Sequence, residues 1–175
     1  REGREIALVC DAGMPGISDP GAFLMRAVIA AGLPLEVLPG ANAALLGYLQ
    51  SGLVSTQFLF YGFLPSRRRE RLAELEKLQR LPYPIIFYEA PHRLVEMLGD
   101  LLDVFGDRVA SVSRELTKLY EETRRGHLSE LLAHFMDSKP RGEFVVTVAG
   151  AEERSGDKSE DDILRALQRL LAKGL

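Results

Sequence analysis

Apolar residues come in short runs and helical stripes that alternate along the chain. Ile6-Ala7-Leu8-Val9-Cys10 is a continuous apolar run, the pattern of a strand covered on both faces. The stretch from Asp11 to Gly21 follows, with three glycines and two prolines. Asp19 suits a helix N-cap and Pro20 a first helical residue. The helix after it carries Phe23, Leu24, Ala27 and Val28 and is expected to stop near Gly32. Leu35–Leu38 reads as the next strand. Pro39-Gly40 turns it into a second helix bearing Leu45, Leu46 and Leu49, closed by Ser51-Gly52.

Beyond this point the pattern becomes more regular. Gln57–Leu64 reads as a strand, followed by a basic helix start, Arg67-Arg68-Arg69-Glu70-Arg71, with Leu72, Leu75 and Leu78 as its stripe. Pro84–Tyr88 is a strand, and Leu94, Leu98, Leu101, Leu102 and Phe105 form the next helical stripe. Arg108–Ser113 is a strand, Tyr120–Gly126 an edge-like one, Leu128–Phe135 a short helix and Glu143–Ala149 a closing strand. Ala151–Lys158 is polar and linker-like. Ser159 caps a final amphipathic helix bearing Ile163, Leu167, Leu170 and Leu171.

Strands alternating with helices predict an α/β fold. Residues 1–56 hold only two strands, too few for a whole sheet, and read as the C-terminal part of an incomplete first α/β domain. Residues 57–150 read as a second, whole α/β domain, and residues 151–175 as a linker and the start of a helical segment. The start at Arg1, just before a strand, and the stop after a helical pattern lead us to expect a piece of a longer protein.

Composition narrows the function. The apolar fraction of 46% suits a packed core. The net charge of −3 gives no global basic field, so any RNA-binding surface is a local patch. The single cysteine, Cys10, excludes an internal disulfide and a cysteine-rich zinc site, and suits a reducing cytoplasm. The histidines His92, His127 and His134 have no ligand-like spacing, so no metal is expected. No apolar run has membrane-spanning length.

Four turns at strand ends concentrate chemistry, where ligands of open α/β sheets bind. Asp11–Gly21 is either a long strand-to-helix connection or a backbone cradle. It lacks the Gly-Lys-Ser/Thr of a phosphate loop. Pro39–Ala43 is either a tight turn with an N-cap or a small-residue wall in which Asn42 bonds a ligand. Tyr88–Arg93 brings Glu89, His92 and Arg93 within five residues, as a base and a phosphate grip or as a solvated first turn. Ser113–Lys118 is a charged cluster or a charged loop. The Arg67–Arg71 run, at a helix start where cations oppose the dipole, asks for a partner anion such as an RNA backbone.

Taken in order, DAGMPGISDPG, LPGANA, FLFYGFLP, IIFYEAPHR, SRELTKLYEE and PRGEFVVTVAG resemble the tetrapyrrole-methylase-like (class III) methyltransferases, and among them those acting on small-subunit ribosomal RNA. The resemblance covers about Glu5 to Gly150. It implies two α/β domains with S-adenosylmethionine in the cleft between them. It also implies methyl transfer to the 2′-oxygen of a cytidine in 16S rRNA near the decoding centre, in the cytoplasm, and often a homodimer. The family's first motif, an N-terminal strand with a Pro-Ile-Gly-Asn-like turn, is absent here. The resemblance places cofactor contacts at Ala12, Gly13, Met14, Pro15 and Ile17, at Asn42 and Ala43, at Tyr88 and Glu89, and near Leu116. Met14 stands where threonine is usual and Asn42 where serine is usual.

For transfer to a ribose hydroxyl, a base is expected, and Glu89, His92 and Glu115 are the candidates by their strand-end positions. Arg67, Arg68, Arg69, Arg93, Arg114 and Lys118 are candidates for holding RNA. The alternatives are a tetrapyrrole C-methyltransferase of the same fold and a non-catalytic fragment.

Overall fold

A computed structural model describes Gly3, residues 5–138 and residues 140–152. The final amphipathic helix expected after Ser159 lies outside the described residues. Among those described, the order is α1 (Ala22–Ala30), α2 (Ala43–Ser51), β1 (Leu59–Phe63), α3 (Arg68–Leu78), β2 (Ile85–Glu89), α4 (Leu94–Phe105), β3 (Val109–Arg114), β4 (Glu122–His127), α5 (Leu128–Asp137) and β5 (Phe144–Val148).

The five strands form one sheet in the order β1-β2-β5-β3-β4. β1 and β2 are parallel, whereas β5 runs antiparallel to both β2 and β3. β5 takes the centre because Phe144-Val145-Val146-Thr147-Val148 is buried on both faces. β4 takes an edge because it carries Glu122, Arg124 and Arg125, whose charges keep an edge from pairing further. β1, β2 and β3 all end on one side of the sheet. There Glu89 and Arg114 lie level with Phe144, one on either side of it.

Helices cover both faces. The main core, built around Phe87, Leu94, Met97, Leu98, Leu101 and Val146, lies between the sheet and α3, α4 and α5. On the other face α2 packs Ala44 and Tyr48 against Ile86 and Val145. This contact does not use the leucine stripe expected for α2, since Leu45 and Leu49 are exposed. The buried positions are Ala44, Gly47, Tyr48 and Ser51. A Cβ on Gly47 would fall 2.6 Å from the Val145 side chain, so the close approach of helix to strand selects the small-residue face. In α3 likewise, Arg71 rather than Leu72 joins Leu75 and Leu78 in the buried row. Its Nε donates to Asp100 at 2.7 Å and its Nη2 lies 2.6 Å from Glu96, so the helix pair buries a matched charge.

Residues 5–40 depart from expectation. Ile6–Cys10 and Leu35–Leu38 join no ladder among the described residues. Ile6 and Val9 are more than 80% exposed, because an extended segment without hydrogen-bonded neighbours has nothing to bury against. The first helix starts at Ala22, not Pro20. Ser18 (φ 55°) and Gly21 (φ 135°) adopt left-handed backbone and prolong the turn, so Asp19 does not cap. The end matches expectation: Gly32 is left-handed, with Gly32 N–H donating to Ile29 and Leu33 N–H to Val28.

Candidate active site

A cleft of about 700 Å³ opens at the sheet end where β1, β2 and β3 finish. That is the size of a small-molecule cofactor site. Its first wall is the Asp11–Gly21 turn. Cys10 Sγ donates to the Ala12 carbonyl at 3.3 Å, and Ile17 N–H donates to Met14 O at 3.4 Å, which fold the turn on itself. The turn rests on the Pro39–Ala43 turn: a Cβ on Gly13 would lie 3.6 Å from Ala41 O, and one on Gly40 3.3 Å from Met14 Cγ. It also reaches β1. Gly62 forms a bulge with φ 84°, and a Cβ there would meet Ser18 Oγ at 3.1 Å.

The second wall is the N-terminus of α2. Asn42 Oδ1 accepts from Leu45 N–H at 3.2 Å, the N-cap bond that starts the helix. Its amide oxygen therefore serves the helix, and the residue lines the cleft. Tyr88, from the end of β2, accepts from Ala44 N–H at 3.1 Å and ties this wall to the sheet. Burial raises the Tyr88 pKa, so the phenol stays protonated at neutral pH.

Glu89 forms the floor. The residue is 2% exposed, and its Oε1 accepts from Ala90 N–H at 2.8 Å. Its Oε2 is buried and has no hydrogen-bond partner among the described residues. Burial lifts its pKa above the ordinary carboxylate value, against the pull of the Ala90 N–H, Arg93, Arg71 and His92. Oε2 is thus a buried acceptor without a donor, in a residue that borders the cleft. His92 lines the same cleft.

The last wall is the β3–β4 loop. Glu115 and Thr117 have left-handed backbone, held by Glu121, which accepts from Thr117 N–H at 2.5 Å and from Gln50 at 2.7 Å. Glu115 lies over Gly142, whose missing side chain makes room for it, and pairs with Lys118 at 3.3 Å.

The fold thus brings together every suggested cofactor residue except Pro15, and all three suggested bases. It also lines the cleft with Ser18, Ala41, Phe63, Thr117 and Val145. Ser18, Ala41 and Thr117 lie in turns the sequence marked, whereas Phe63 and Val145 carry no local signal. The suggested RNA contacts are more dispersed. Lys118 lines the cleft, whereas Arg67, Arg68, Arg69, Arg93 and Arg114 do not. Arg67 pairs with Glu70, Arg68 with Asp100 and Asp103, and Arg114 with Glu122. Arg69 has no carboxylate partner among the described residues.

A sheet covered by helices on both faces, with a cofactor-sized cleft at the strand ends walled by the Asp11–Gly21 and Pro39–Ala43 turns, defines a ligand-binding α/β protein. Comparison with known proteins agrees: the model of the family Tetrapyrrole (Corrin/Porphyrin) Methylases matches residues 1–132. The chain belongs to that family and, more narrowly, with the ribosomal RNA small subunit methyltransferase I proteins. It is 46% identical to the one from Bacillus subtilis over 160 residues, 91% of this chain and 55% of that protein. It is 42% identical to the one from Thermotoga maritima over 154 residues, 87% of this chain and 68% of that protein. The chain spans about half the length of the Bacillus and Micromonospora relatives. Among solved structures, it shares the fold of the methyltransferase CobJ, with a TM-score of 0.60 at 21% identity, covering 82% of this chain and 64% of that one. It is similar also to uroporphyrin-III C-methyltransferase from Thermus thermophilus complexed with S-adenyl homocysteine, with a TM-score of 0.54 at 19% identity, covering 78% and 62%. No helix among the described residues is long and apolar enough to cross a membrane.

Proposed function

We propose that the protein is an S-adenosylmethionine-dependent methyltransferase acting on the ribose 2′-oxygen of a cytidine in 16S rRNA near the decoding centre. The observation that carries the reading is the cleft in which the Asp11–Gly21 turn, the Pro39–Ala43 turn and Glu89 meet. The relatives' shared name supports the substrate class. A ribosomal substrate places the protein in the cytoplasm.

The lining fits such a cofactor. Ala12, Gly13, Ala41 and Ala43 leave room and offer backbone groups, and the walls mix apolar with polar atoms. S-adenosylmethionine supplies an electrophilic methyl group on a sulfonium. Ala12, Gly13, Met14 and Ile17 form its cradle in our reading, with Pro15 in the same turn but outside the lining, and Asn42, Ala43, Tyr88 and Leu116 opposite. Glu89 takes the proton of the ribose hydroxyl as the oxygen attacks; its raised pKa makes it a better base than an exposed carboxylate. His92 and Glu115, which also line the cleft, orient the ribose. The exposed Arg67, Arg69 and Lys118 are assigned to RNA phosphates. The carbonyl-bound Arg93 and the ion-paired Arg68 and Arg114 are assigned to the fold around the site.

The domain assignment we propose puts the cradle in residues 1–56 and the catalytic floor in residues 57–150, with 151–175 as linker and helical segment. Ile6, Val9, Phe23, Val37 and Leu38 are exposed apolar side chains that suit cover by further protein, and a homodimer is the form we propose. Light scattering on the full-length protein tests it.

The deciding experiment incubates the full-length protein with labelled S-adenosylmethionine and either small ribosomal subunits or a tetrapyrrole precursor. Label on the cytidine ribose supports the proposal. Label on the tetrapyrrole and none on RNA overturns it in favour of carbon methylation, and label on neither identifies a binding protein.

A further inference from the structure

Arg93 follows Glu89 by four residues, and as a cation at a strand-end turn it invites assignment to RNA phosphate. Its surroundings direct it elsewhere. The side chain is 19% exposed. Its Nη2 donates to the carbonyls of Leu64 at 3.0 Å and Pro65 at 3.1 Å, in the turn that leaves β1 for α3. A guanidinium Nη carries two N–H bonds. Both of those on Nη2 are consumed by these carbonyls.

Glu89 Oε2 lies 3.4 Å from the same Nη2. With no N–H left on that nitrogen, the contact supplies charge attraction and no hydrogen bond, which agrees with the unpartnered state of Oε2. From the other elements, Arg71 of α3 and His92 of the same turn add positive charge towards Glu89. Arg71 is itself held by Asp100 and Glu96. Arg93 is therefore the nearby cation bonded to no other carboxylate and held rigidly by backbone.

We propose that Arg93 is a positioning residue for Glu89: it fixes the β1 exit against the end of β2 and favours ionised Glu89 by charge, without an N–H on Oε2. An arginine that covered Oε2 with an N–H would hold the carboxylate ionised but occupy the acceptor. One displaced into solvent would remove a nearby charge that opposes the cost of burying the carboxylate. The arrangement avoids both. The inference rests on the reading of Glu89 as the base, and its test keeps the two apart.

The experiment uses full-length protein with Arg93→Met and Arg93→Lys. The Glu89 carboxyl is followed by carbon NMR titration, assigned against Glu89→Gln. Methylation of small subunits is measured across pH, and RNA affinity across salt. Arg93→Met is expected to raise the Glu89 titration midpoint and move the acid limb of kcat/KM upward by the same amount. The RNA dissociation constant should stay within about threefold, with an unchanged salt slope, because a lost phosphate contact would lower that slope by about one. Arg93→Lys, which keeps charge but not the fork, is expected to fall between. If Arg93→Met weakens RNA binding and flattens the salt slope while the Glu89 titration stays in place, Arg93 grips phosphate and the inference is overturned. If Arg93→Met does not fold, the same two outcomes are read on Arg93→Lys. If the Glu89 titration moves but Glu89→Gln methylates normally, the positioning role stands and the base assignment is the part that fails.

Discussion

In the proposed reading of Glu89 as the base, the residue links stability and catalysis with opposite signs. Its pKa is raised in the folded state, so folding favours the protonated form. Such a group contributes stability that is present below the unfolded pKa and lost as pH rises through the folded one. At neutral pH it therefore costs stability. Glu89→Gln is expected to melt higher than the parent near pH 7, with the gain vanishing at acid pH, and to lose methyl transfer by about 10²- to 10⁴-fold as a lost general base does. Calorimetry across pH and single-turnover methylation check the two halves. Asp100 is the contrasting case. It accepts from the fully buried Arg71 and from Arg68, so Asp100→Ala leaves buried Arg71 with the half-exposed Glu96 alone and is expected to cost about 3 kcal/mol in urea unfolding.

At the scale of elements, α2 is the hinge between the cradle and the sheet. Its Asn42 cap and Tyr88 tether set one cleft wall, and Gly47 sets how closely the helix lies on β5. Asn42→Ala is expected to cost about 1 kcal/mol of stability and to weaken S-adenosylmethionine binding, read by chemical unfolding and calorimetric titration. Gly47→Val should overpack against Val145 and cost about 1–3 kcal/mol. Acid sensitivity belongs to α5. Asp107 accepts from Ser129 N–H and Oγ at 2.8 and 2.7 Å, and these bonds hold its carboxyl below the ordinary range. A depressed carboxylate stabilises above its unfolded pKa, and that contribution is lost as pH falls through the folded one. Asp107→Asn is therefore expected to flatten the acid end of the pH–stability curve while leaving the neutral end lower, measured by urea midpoints between neutral and acid pH.

For the whole molecule, what was legible in the sequence follows from periodicity. The stripe of α4, the runs of β2 and β5 and the charged edge of β4 appear because each records burial local to its own element. The four cleft turns were legible too, from their glycines, small residues and charges, although two of them follow segments that form no strand, and Pro15, expected at the cofactor, does not line the cleft. Less visible was anything set by a neighbour. Leucine content pointed to the wrong face of α2, because the close contact with Val145 rewards absence of side chain. The arginine run before α3 resembled a solvent-facing phosphate grip, yet Arg71 is buried by acids 25 and 29 residues further on. Ile6–Cys10 and Leu35–Leu38 have strand composition without a ladder, since pairing depends on a partner strand as well as on the run itself.

By itself, then, the sequence determined the α/β class, the positions of the turns and the residue types available for chemistry, because these depend on spacing along one chain. Only the tertiary structure decided which of those groups are free. It left Glu89 Oε2 without a donor by committing both N–H bonds of Arg93 Nη2 to Leu64 and Pro65. Hydrogen bonds and desolvation depend on what lies across space from an atom, and no local pattern records that.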